Sequence, residues 1–268
     1  MNILDVRETA ISKVYLTKDY AYKVKKPVKL SFLDYSTLDL RKQACQAEID
    51  LNSRLSPGIY FEVQPFFYNN EFDWAVKMVR LNDLDRADSK LGSFHKSSLV
   101  VIGSNAKESL LNDINSIANY SKSLGFDLNK INNIKYKFIK WVNDNEILLE
   151  SRLSEGFHRQ GHGDLRMDHV YFDKDKIHVL DGTEFSTAFR HIDIAKDIAG
   201  IVLDLKINGE FKLADILLDS WSKETNDLAA NYLIDFYTHY RAQICANALK
   251  ARGEEVLAIK YISYAEDL

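Results

Sequence analysis

Residues that can do chemistry are concentrated in one segment of this chain. Between residues 158 and 181 lie four of the seven histidines and five aspartates. Gly161 and Gly163 flank His162, and glycine allows the tightly wound backbone that a loop before Asp164 would need. The same composition fits an ordinary solvated polar loop, so the arrangement of the residues has to decide.

A predicted hairpin would bring two of these carboxylates together. Two short apolar runs, residues 170–172 and 177–180, flank a polar turn, which is the pattern of paired strands. Asp164 precedes the hairpin and Asp181 follows it, so we expect both side chains at the same end. Two carboxylates held in this way can serve as a general base and a metal ligand.

Three motifs follow one another around these aspartates. HGDLR occupies residues 162–166, LDGTEF residues 180–185 and FRHIDIAKDIA residues 189–199. In this order and with these spacings they resemble the aminoglycoside phosphotransferase-like kinases, which share the protein-kinase fold. The first motif matches the family's catalytic loop, which we place at residues 161–169. The second matches its metal-binding segment, and the third the helix that closes the site.

The resemblance is closest to a bacterial branch whose kinase-like domain often precedes a P-loop ATPase domain. Counterparts of residues 8–12, 22–28 and 32–37 occur in that branch, so the similarity covers most of the chain. It weakens between residues 81 and 155. No Walker A sequence occurs in these residues, so nucleotide binding is expected only at the kinase-like site.

The resemblance implies roles for the residues of the catalytic loop. Asp164 would accept the proton of an attacking hydroxyl group, and Arg166 would neutralise charge on the transferred phosphoryl group. Arg166 could instead form a surface ion pair, the commoner state of an exposed charge. His162 is expected to bond backbone carbonyls near the loop rather than to carry a proton.

The resemblance also implies Mg²⁺ bound together with ATP. Asp181 would hold the ion, because a hard cation prefers carboxylate oxygen. Many kinases of this fold place an asparagine five residues after the catalytic aspartate as a second metal ligand, and here that position is His169. Imidazole suits Mn²⁺ better than Mg²⁺, so the identity of the metal stays open at this point.

The nucleotide is expected to contact the early strands and the first helix. Ala21, Lys23 and Lys25 share one face of a predicted strand. The family's pattern places a small alanine against adenine and a lysine toward the phosphates, which favours Lys23 over the competing Lys25. Glu48 of the predicted helix would pair with that lysine, although an exposed helical glutamate is the commoner case.

Adenine is expected to be recognised at a hinge formed by residues 77–80, through the backbone beside Met78 and Val79. No glycine-rich phosphate loop precedes the lysine-bearing strand. The prediction of ATP binding therefore depends on the kinase-like resemblance, which does not separate ATP from GTP.

The surrounding pattern predicts an α+β, two-lobed protein-kinase-like fold. All three prolines occur by residue 65, which indicates a turn-rich first part and a helix-rich remainder. We expect a small β-rich N-lobe over residues 1–80 and a larger helical C-lobe over residues 81–268. The predicted strands are 14–17, 20–25, 61–68 and 72–79, and the predicted helices are 36–55, 106–124, 134–149, 213–221 and 227–250.

The overall composition excludes several classes of protein. The 35 basic and 39 acidic residues give a net charge of −4, which argues against a nucleic-acid binder with a broad basic surface. The 46% of apolar residues argues against a disordered chain. Two cysteines cannot form a disulfide framework, and no apolar window is long enough to span a bilayer. We therefore expect a cytoplasmic protein without a membrane partner.

These observations predict an ATP-dependent phosphotransferase that moves the γ-phosphoryl group to a hydroxyl of a small-molecule acceptor, sugar-like or aminoglycoside-like. Glu184, Asp193 and Asp204 would suit a polyhydroxylated or cationic acceptor. Asp193 and Asp197 are more readily explained as braces of the catalytic loop. The sequence identifies neither the acceptor nor a protein partner.

Two other functions remain open at this point. A pseudokinase-like regulator would hold a nucleotide or a protein without turnover, which the missing glycine loop and His169 favour. A metal-dependent phosphohydrolase would use the histidines and aspartates of the same segment, but it leaves Lys23 and Glu48 unexplained.

Overall fold

The computed structural model describes residues 3–30, 32–69, 71–80, 91–103, 105–173 and 176–268. It confirms the predicted α+β class, with an antiparallel sheet in the first part of the chain and a mainly helical remainder. Two compact units are present. The first contains Met1–Asp88, His162–Asp164 and Asp168–Arg190, and the second contains Ser89–Gly161, Leu165–Met167 and His191–Leu268. The predicted boundary after residue 80 adjoins residues 81–90, which lie outside the described residues.

The elements are numbered in chain order. The strands are β1 Asp5–Glu8, β2 Ser12–Leu16, β3 Tyr20–Lys25, β4 Lys29–Leu30, β5 Leu33–Asp34, β6 Tyr60–Tyr68, β7 Glu71–Val79, β8 His158–Gln160, β9 Val170–Asp173, β10 Lys176–Val179 and β11 His191–Asp193. The helices are α1 Leu38–Leu55, α2 Leu91–Ser97, α3 Ala106–Ser123, α4 Leu128–Asp144, α5 Glu146–Ser154, α6 Thr187–Arg190, α7 Ile194–Ile207, α8 Phe211–Thr225, α9 Ala230–Ala251 and α10 Glu255–Glu266. A short 3₁₀ turn covers Met167–His169.

The first unit is built on one five-stranded antiparallel sheet with the order β1-β2-β3-β7-β6. Both predicted early hairpins therefore belong to the same sheet. Because successive side chains of a strand point to opposite faces, the sheet carries a separate apolar cluster on each face. One cluster contains Leu16, Ala21, Val76 and Met78 with Cys45 of α1, and the other contains Tyr15, Tyr22, Phe66 and Ala75.

Helix α1 begins where its N-cap forms, because the Thr37 side chain accepts a hydrogen bond from the backbone N–H of Leu40. The side chains of Cys45, Glu48 and Asn52 are fully buried. Their spacing of three and four residues places them on one face of the helix. Helix α1 therefore carries a carboxylate and an amide into the interior of the first unit.

The predicted hairpin of the histidine-rich segment is present. Strands β9 and β10 pair antiparallel, with Val170 opposite Val179, and turn residues 174–175 lie outside the described residues. The hydroxyl of Ser56, just after α1, donates to the carbonyl of Val179 at 2.9 Å and accepts from its N–H at 2.8 Å. This pair of bonds attaches the exit of the hairpin to the end of α1.

The second unit is mainly helical, and one predicted helix is wrong. The sequence predicts a single helix over residues 134–149, whereas α4 ends at Asp144 and α5 begins at Glu146. The side-chain amide of Asn145, between them, donates to the carbonyl of Trp141 at 2.8 Å. The backbone N–H of Asn145 also donates to the carbonyls of Trp141 and Val142, which closes the last turn of α4. None of the helices in the described ranges is long and apolar enough to cross a membrane.

A buried guanidinium organises the second unit. Arg152 donates through Nη2 to Asp193 and to Asp227, at 2.7 Å in each case, and through Nε to Asp193 as well. Burial alone would lower the pKa of Arg152, but the two carboxylates outweigh burial and raise it. Asp193 also caps α7 by accepting from the N–H of Ala195 at 2.8 Å. The suggestion that Asp193 faces an acceptor is therefore wrong, since it is buried against Arg152.

Arg152→Met should destabilise the protein by about 3–5 kcal/mol, because it leaves two carboxylates buried without their cation. The measurement is the free energy of unfolding from urea titration. The control is Lys107→Met, which removes a partly exposed pair with Glu146 and should cost at most about 1 kcal/mol. Equal losses in the two variants would contradict the role given to Arg152.

Candidate functional site

Strand β3 presents two lysines on the same face. Lys23 lies between Val14 of β2 and Val76 of β7, and Lys25 follows two residues later. Both lysines are buried. Ala21, on the same face, is packed in the apolar cluster with Met78, so its predicted contact with adenine stays a prediction.

Both lysines bind the same carboxylate. Glu48 Oε1 lies 2.9 Å from Lys23 Nζ, and Glu48 Oε2 lies 2.6 Å from Lys25 Nζ. Burial alone would lower the pKa of Lys23, but the carboxylates of Asp181 and Glu48 raise it well above its usual range. The lysines are therefore held as cations in the interior of the first unit.

Asp181 lies at the end of this chain of charges. Its carboxylate Oδ1 bonds Lys23 Nζ, and its Oδ2 lies 3.8 Å from His169 Nε2. Burial would raise the pKa of Asp181, but Lys23 and His169 outweigh burial and hold the pKa well below its usual range. The side chain is 42% exposed, so a ligand can reach it.

The backbone of Asp181 is strained. Its φ of 65° is in the left-handed region, which costs a residue with a Cβ about 1–2 kcal/mol. Such conformations persist where the surroundings hold them, and they cluster at functional sites. Here the next residue, Gly182, donates its N–H to Asn52 Oδ1 at 2.8 Å, which ties the strained segment to α1.

His162 joins the predicted catalytic loop to the predicted metal-binding segment. Its Nε2 donates to the carbonyl of Leu180 at 2.7 Å, and its Nδ1 accepts from the N–H of Asp164 at 3.3 Å. Its own carbonyl accepts from the N–H of Thr183 at 3.0 Å. A ring that donates on one nitrogen and accepts on the other is neutral, so these bonds give His162 a structural place.

His169 is oriented by the loop that it follows. Its Nδ1 donates to the carbonyl of Asp164 at 2.9 Å, which fixes the orientation of the ring. Nε2 faces the carboxylate of Asp181. The predicted pair of metal ligands is thereby brought together by the structure.

The predicted metal site offers one carboxylate, that of Asp181, to a divalent cation that would arrive with a nucleotide. Among the residues that the structure describes, no group of three or more His, Cys, Asp or Glu is placed to hold a metal ion. Mg²⁺ usually takes one or two carboxylates and completes its shell with substrate phosphates and water. Asp181 supplies one carboxylate of that kind, whereas the imidazole of His169 beside it suits Mn²⁺ better than Mg²⁺.

For Met78, Val79 and Arg166 the structure gives a position in the fold. Met78 and Val79 belong to strand β7 rather than to a connection after it. The N–H of Val79 donates to the carbonyl of Ile59 at 2.9 Å, so that N–H is already used within the sheet. Arg166 lies in Leu165–Met167, which is grouped with the second unit. Roles of these residues toward a nucleotide stay predictions.

Glu184 has a place that the sequence did not reveal. It was expected to suit an acceptor, but its side chain is buried against Lys25 and accepts from the hydroxyl of Tyr35 at 2.9 Å. Burial would raise the pKa of Glu184, but Lys25 and Lys23 lower it. One feature of the sequence could have indicated this place. Two lysines on one face of β3 need two acids if both are buried, and Glu48 is only one.

Comparison with known proteins gives relatives without an assigned activity. No family model matches the chain. Uncharacterized proteins of Mycobacterium bovis and Mycobacterium tuberculosis are 29% identical over 270 aligned positions. The alignment covers 91% of this chain and 54% of each relative, so the chain spans about half the length of these proteins.

Solved structures confirm the predicted fold. A thermostable mutant of aminoglycoside phosphotransferase APH(4)-Ia aligns with a TM-score of 0.58 at 10% identity, over 99% of this chain and 94% of that one. Plasmodium vivax ethanolamine kinase gives 0.55 at 13%, over 98% and 81%. ADP-bound aminoglycoside phosphotransferase APH(2'')-Ib gives 0.54 at 13%, over 99% and 93%. This chain has the fold of these kinases.

Gly163→Ala should destabilise the first unit more than Gly58→Ala. Both glycines have a positive φ, 86° and 84°, so alanine adds about 1–2 kcal/mol of strain at either site. At Gly163 the new Cβ would also lie 2.7 Å from the carbonyl oxygen of Phe189, whereas at Gly58 no atom of the described residues lies within 4 Å.

The crowding should add about 1–3 kcal/mol to the loss at Gly163. Urea unfolding of the two variants measures the difference. Indistinguishable losses would show that the catalytic loop is not packed as described.

Proposed function

We propose that this protein is an ATP-dependent phosphotransferase that moves the γ-phosphoryl group to a hydroxyl of a small-molecule acceptor. The observation that carries the proposal is the chain of buried contacts from Glu48 through Lys23 to Asp181, with His169 beside the same carboxylate. The likeness of the fold to aminoglycoside phosphotransferases and an ethanolamine kinase supports it.

Phosphoryl transfer needs cations around the moving group and a nucleophile held in line with it. A lysine on a strand, fixed by a glutamate of a neighbouring helix, meets the first need. Lys23 would turn its ammonium from Asp181 toward the nucleotide phosphates, while Glu48 keeps the lysine stem in place. Met78, Val79 and Ala21 are proposed to border the adenine ring.

Asp181 and His169 would hold the divalent cation, which neutralises phosphate charge when bound. We propose Mg²⁺, because Asp181 offers the carboxylate oxygen that this ion prefers. Mn²⁺ is the alternative, because imidazole is a better ligand for Mn²⁺. Asp164 would accept the proton of the acceptor hydroxyl, and Arg166 would neutralise charge on the transferred group. The backbone of Asp164 is held by the ring of His162, whose Nδ1 accepts from the Asp164 N–H.

The proposed acceptor is a small polyhydroxylated or amino-alcohol molecule, in keeping with neighbours described as a gentamicin complex and as an ethanolamine kinase. A cytoplasmic location is proposed because both cysteines are free thiols, as is usual in a reducing compartment. We do not propose the alternative of a metal-dependent phosphohydrolase, because it would leave the buried Lys23–Glu48 pair without a task.

The first experiment is a test of binding and turnover. Mg²⁺ and ATP at about 100 times the dissociation constant should stabilise the fold by about 2.7 kcal/mol. ATP consumption is then measured with sugars, aminoglycosides and amino alcohols, each with Mg²⁺ or Mn²⁺. Binding without consumption on any acceptor would favour the nucleotide-binding regulator. No binding with either metal would refute both functions.

Asp164→Asn should lower turnover about 100- to 10,000-fold and leave nucleotide affinity nearly unchanged, because it removes a proton acceptor and keeps the shape. Asp181→Asn should weaken metal-dependent nucleotide binding as well, because it removes a ligand. The matched control is Asp168→Asn, an exposed aspartate of the same loop, which should behave like the parent.

Turnover by Asp164→Asn at the parent rate would eliminate the proposed mechanism. Equal effects of Asp164→Asn and Asp168→Asn would do the same, because they would reduce the result to a change of loop charge.

A further inference from the structure

The proposed chemistry uses only part of the buried charge network. It explains Lys23, Glu48 and Asp181, but it gives no task to Lys25 and Glu184. Lys25 Nζ lies 2.6 Å from Glu48 Oε2, bonds Glu184 Oε1 and lies 5.5 Å from the centre of the Tyr35 ring. A second ion pair therefore runs beside the first and shares its glutamate.

The two ion pairs differ in access. The Lys23 side chain is 9% exposed, and its partner Asp181 is 42% exposed. The Lys25 side chain is 0% exposed, and its partner Glu184 is 4% exposed. A ligand can therefore compete for the Lys23–Asp181 pair, whereas the Lys25–Glu184 pair is closed to it.

The Lys25–Glu184 pair, which we call the closed pair, is attached to the backbone of the proposed metal-binding segment, residues 180–185. The Lys23–Asp181 pair is called the open pair. Glu184 comes three residues after Asp181, and its carbonyl accepts from Arg190 Nη1 at 3.1 Å. The N–H groups between these acids are also engaged, by Asn52 at Gly182 and by the carbonyl of His162 at Thr183. The side chain of Glu184 thus anchors the end of a segment whose start carries the metal ligand.

The two ion pairs can respond separately to a ligand. Two ammonium groups, those of Lys23 and Lys25, bond the three carboxylates of Glu48, Asp181 and Glu184. When Lys23 turns to a phosphate, Glu48 and Glu184 still have Lys25. The closed pair can therefore hold the segment unchanged while the open pair exchanges partners.

We propose that Lys25 is a positioning residue, whose bonds to Glu48 and Glu184 hold Asp181 in the conformation that receives the metal-bound nucleotide. Lys25 acts through these two carboxylates and touches no ligand. This inference rests on the proposed function, because it assigns Lys25 a part in the same site.

The test variant is Lys25→Met/Glu184→Gln. Removing Lys25 alone would leave Glu184 buried without a cation, which destabilises the fold and confuses the result. The double substitution removes one charge of each sign and leaves Lys23, Glu48 and Asp181 together. The amide introduced at position 184 still offers an oxygen acceptor to the hydroxyl of Tyr35, so that hydrogen bond can be kept.

The measurement is the affinity for a fluorescent ATP analogue with and without Mg²⁺, together with thermal unfolding. The double variant should melt near the parent and bind the analogue without metal about as well as the parent. Its gain in affinity on adding Mg²⁺ should fall about 10- to 100-fold, the usual effect of removing a residue that orients a metal ligand. Lys26→Met is the matched control, since Lys26 pairs with Glu8 away from the network.

The outcomes separate this inference from the proposed function. A parent that binds no analogue with or without Mg²⁺ would overturn the proposed function, and this inference with it. If adding Mg²⁺ raises the affinity of the parent and raises that of the double variant equally, the role of Lys25 is overturned. The proposed function is then unaffected. An equal loss in Lys26→Met would also overturn it, because loss of any nearby lysine would then suffice.

Tyr35→Phe provides a second test if the double variant does not fold. It removes one hydrogen bond from Glu184 without burying an unpaired charge. The gain in affinity from Mg²⁺ should then fall several-fold, with thermal unfolding close to that of the parent. An unchanged gain would count against the positioning role of the Lys25–Glu184 pair.

Discussion

The carboxylate of Glu48, shared by two buried ammonium groups, is the interaction on which the first unit depends. A buried ion without a partner is strongly destabilising, so Glu48 can be accommodated only where β3 presents Lys23 and Lys25 together. This requirement fixes how α1 lies along β3. Helix α1 also carries Asn52, whose amide oxygen binds the N–H of Gly182. One helix thereby sets the position of both the lysines and the metal-binding segment.

Much of the first unit could be predicted because its signals are local. Alternation along β3 places Lys23 and Lys25 on one face, but the same alternation cannot choose between them. In the structure both lysines pair with Glu48, and each has a second acid of its own, Asp181 for Lys23 and Glu184 for Lys25. Glu184 is separated from Lys25 by 159 positions, so no local pattern reveals that pair. For that reason Glu184 was expected to face the acceptor.

Several of the missed elements have weak local signals or too few residues to show a pattern. Strand β1 has only exposed residues, so it shows no alternation of apolar and polar positions. The break between α4 and α5 falls at Asn145, whose side-chain amide and backbone N–H both donate to the carbonyl of Trp141. The short pair β8 and β11 joins His158–Gln160 to His191–Asp193 across a long insertion, and each strand has only three residues.

The strain at Asp181 gives the second ion pair, Lys25–Glu184, a use beyond the Lys23–Asp181 pair. A residue with a Cβ leaves the left-handed region unless its surroundings hold it there. In the proposed reaction the Lys23 contact cannot supply that hold, because Lys23 is the group that a phosphate would attract. The Lys25–Glu184 pair and the Asn52 bond hold the segment through groups that are themselves buried. In the proposed reaction, holding the backbone and binding the ligand therefore fall to different side chains.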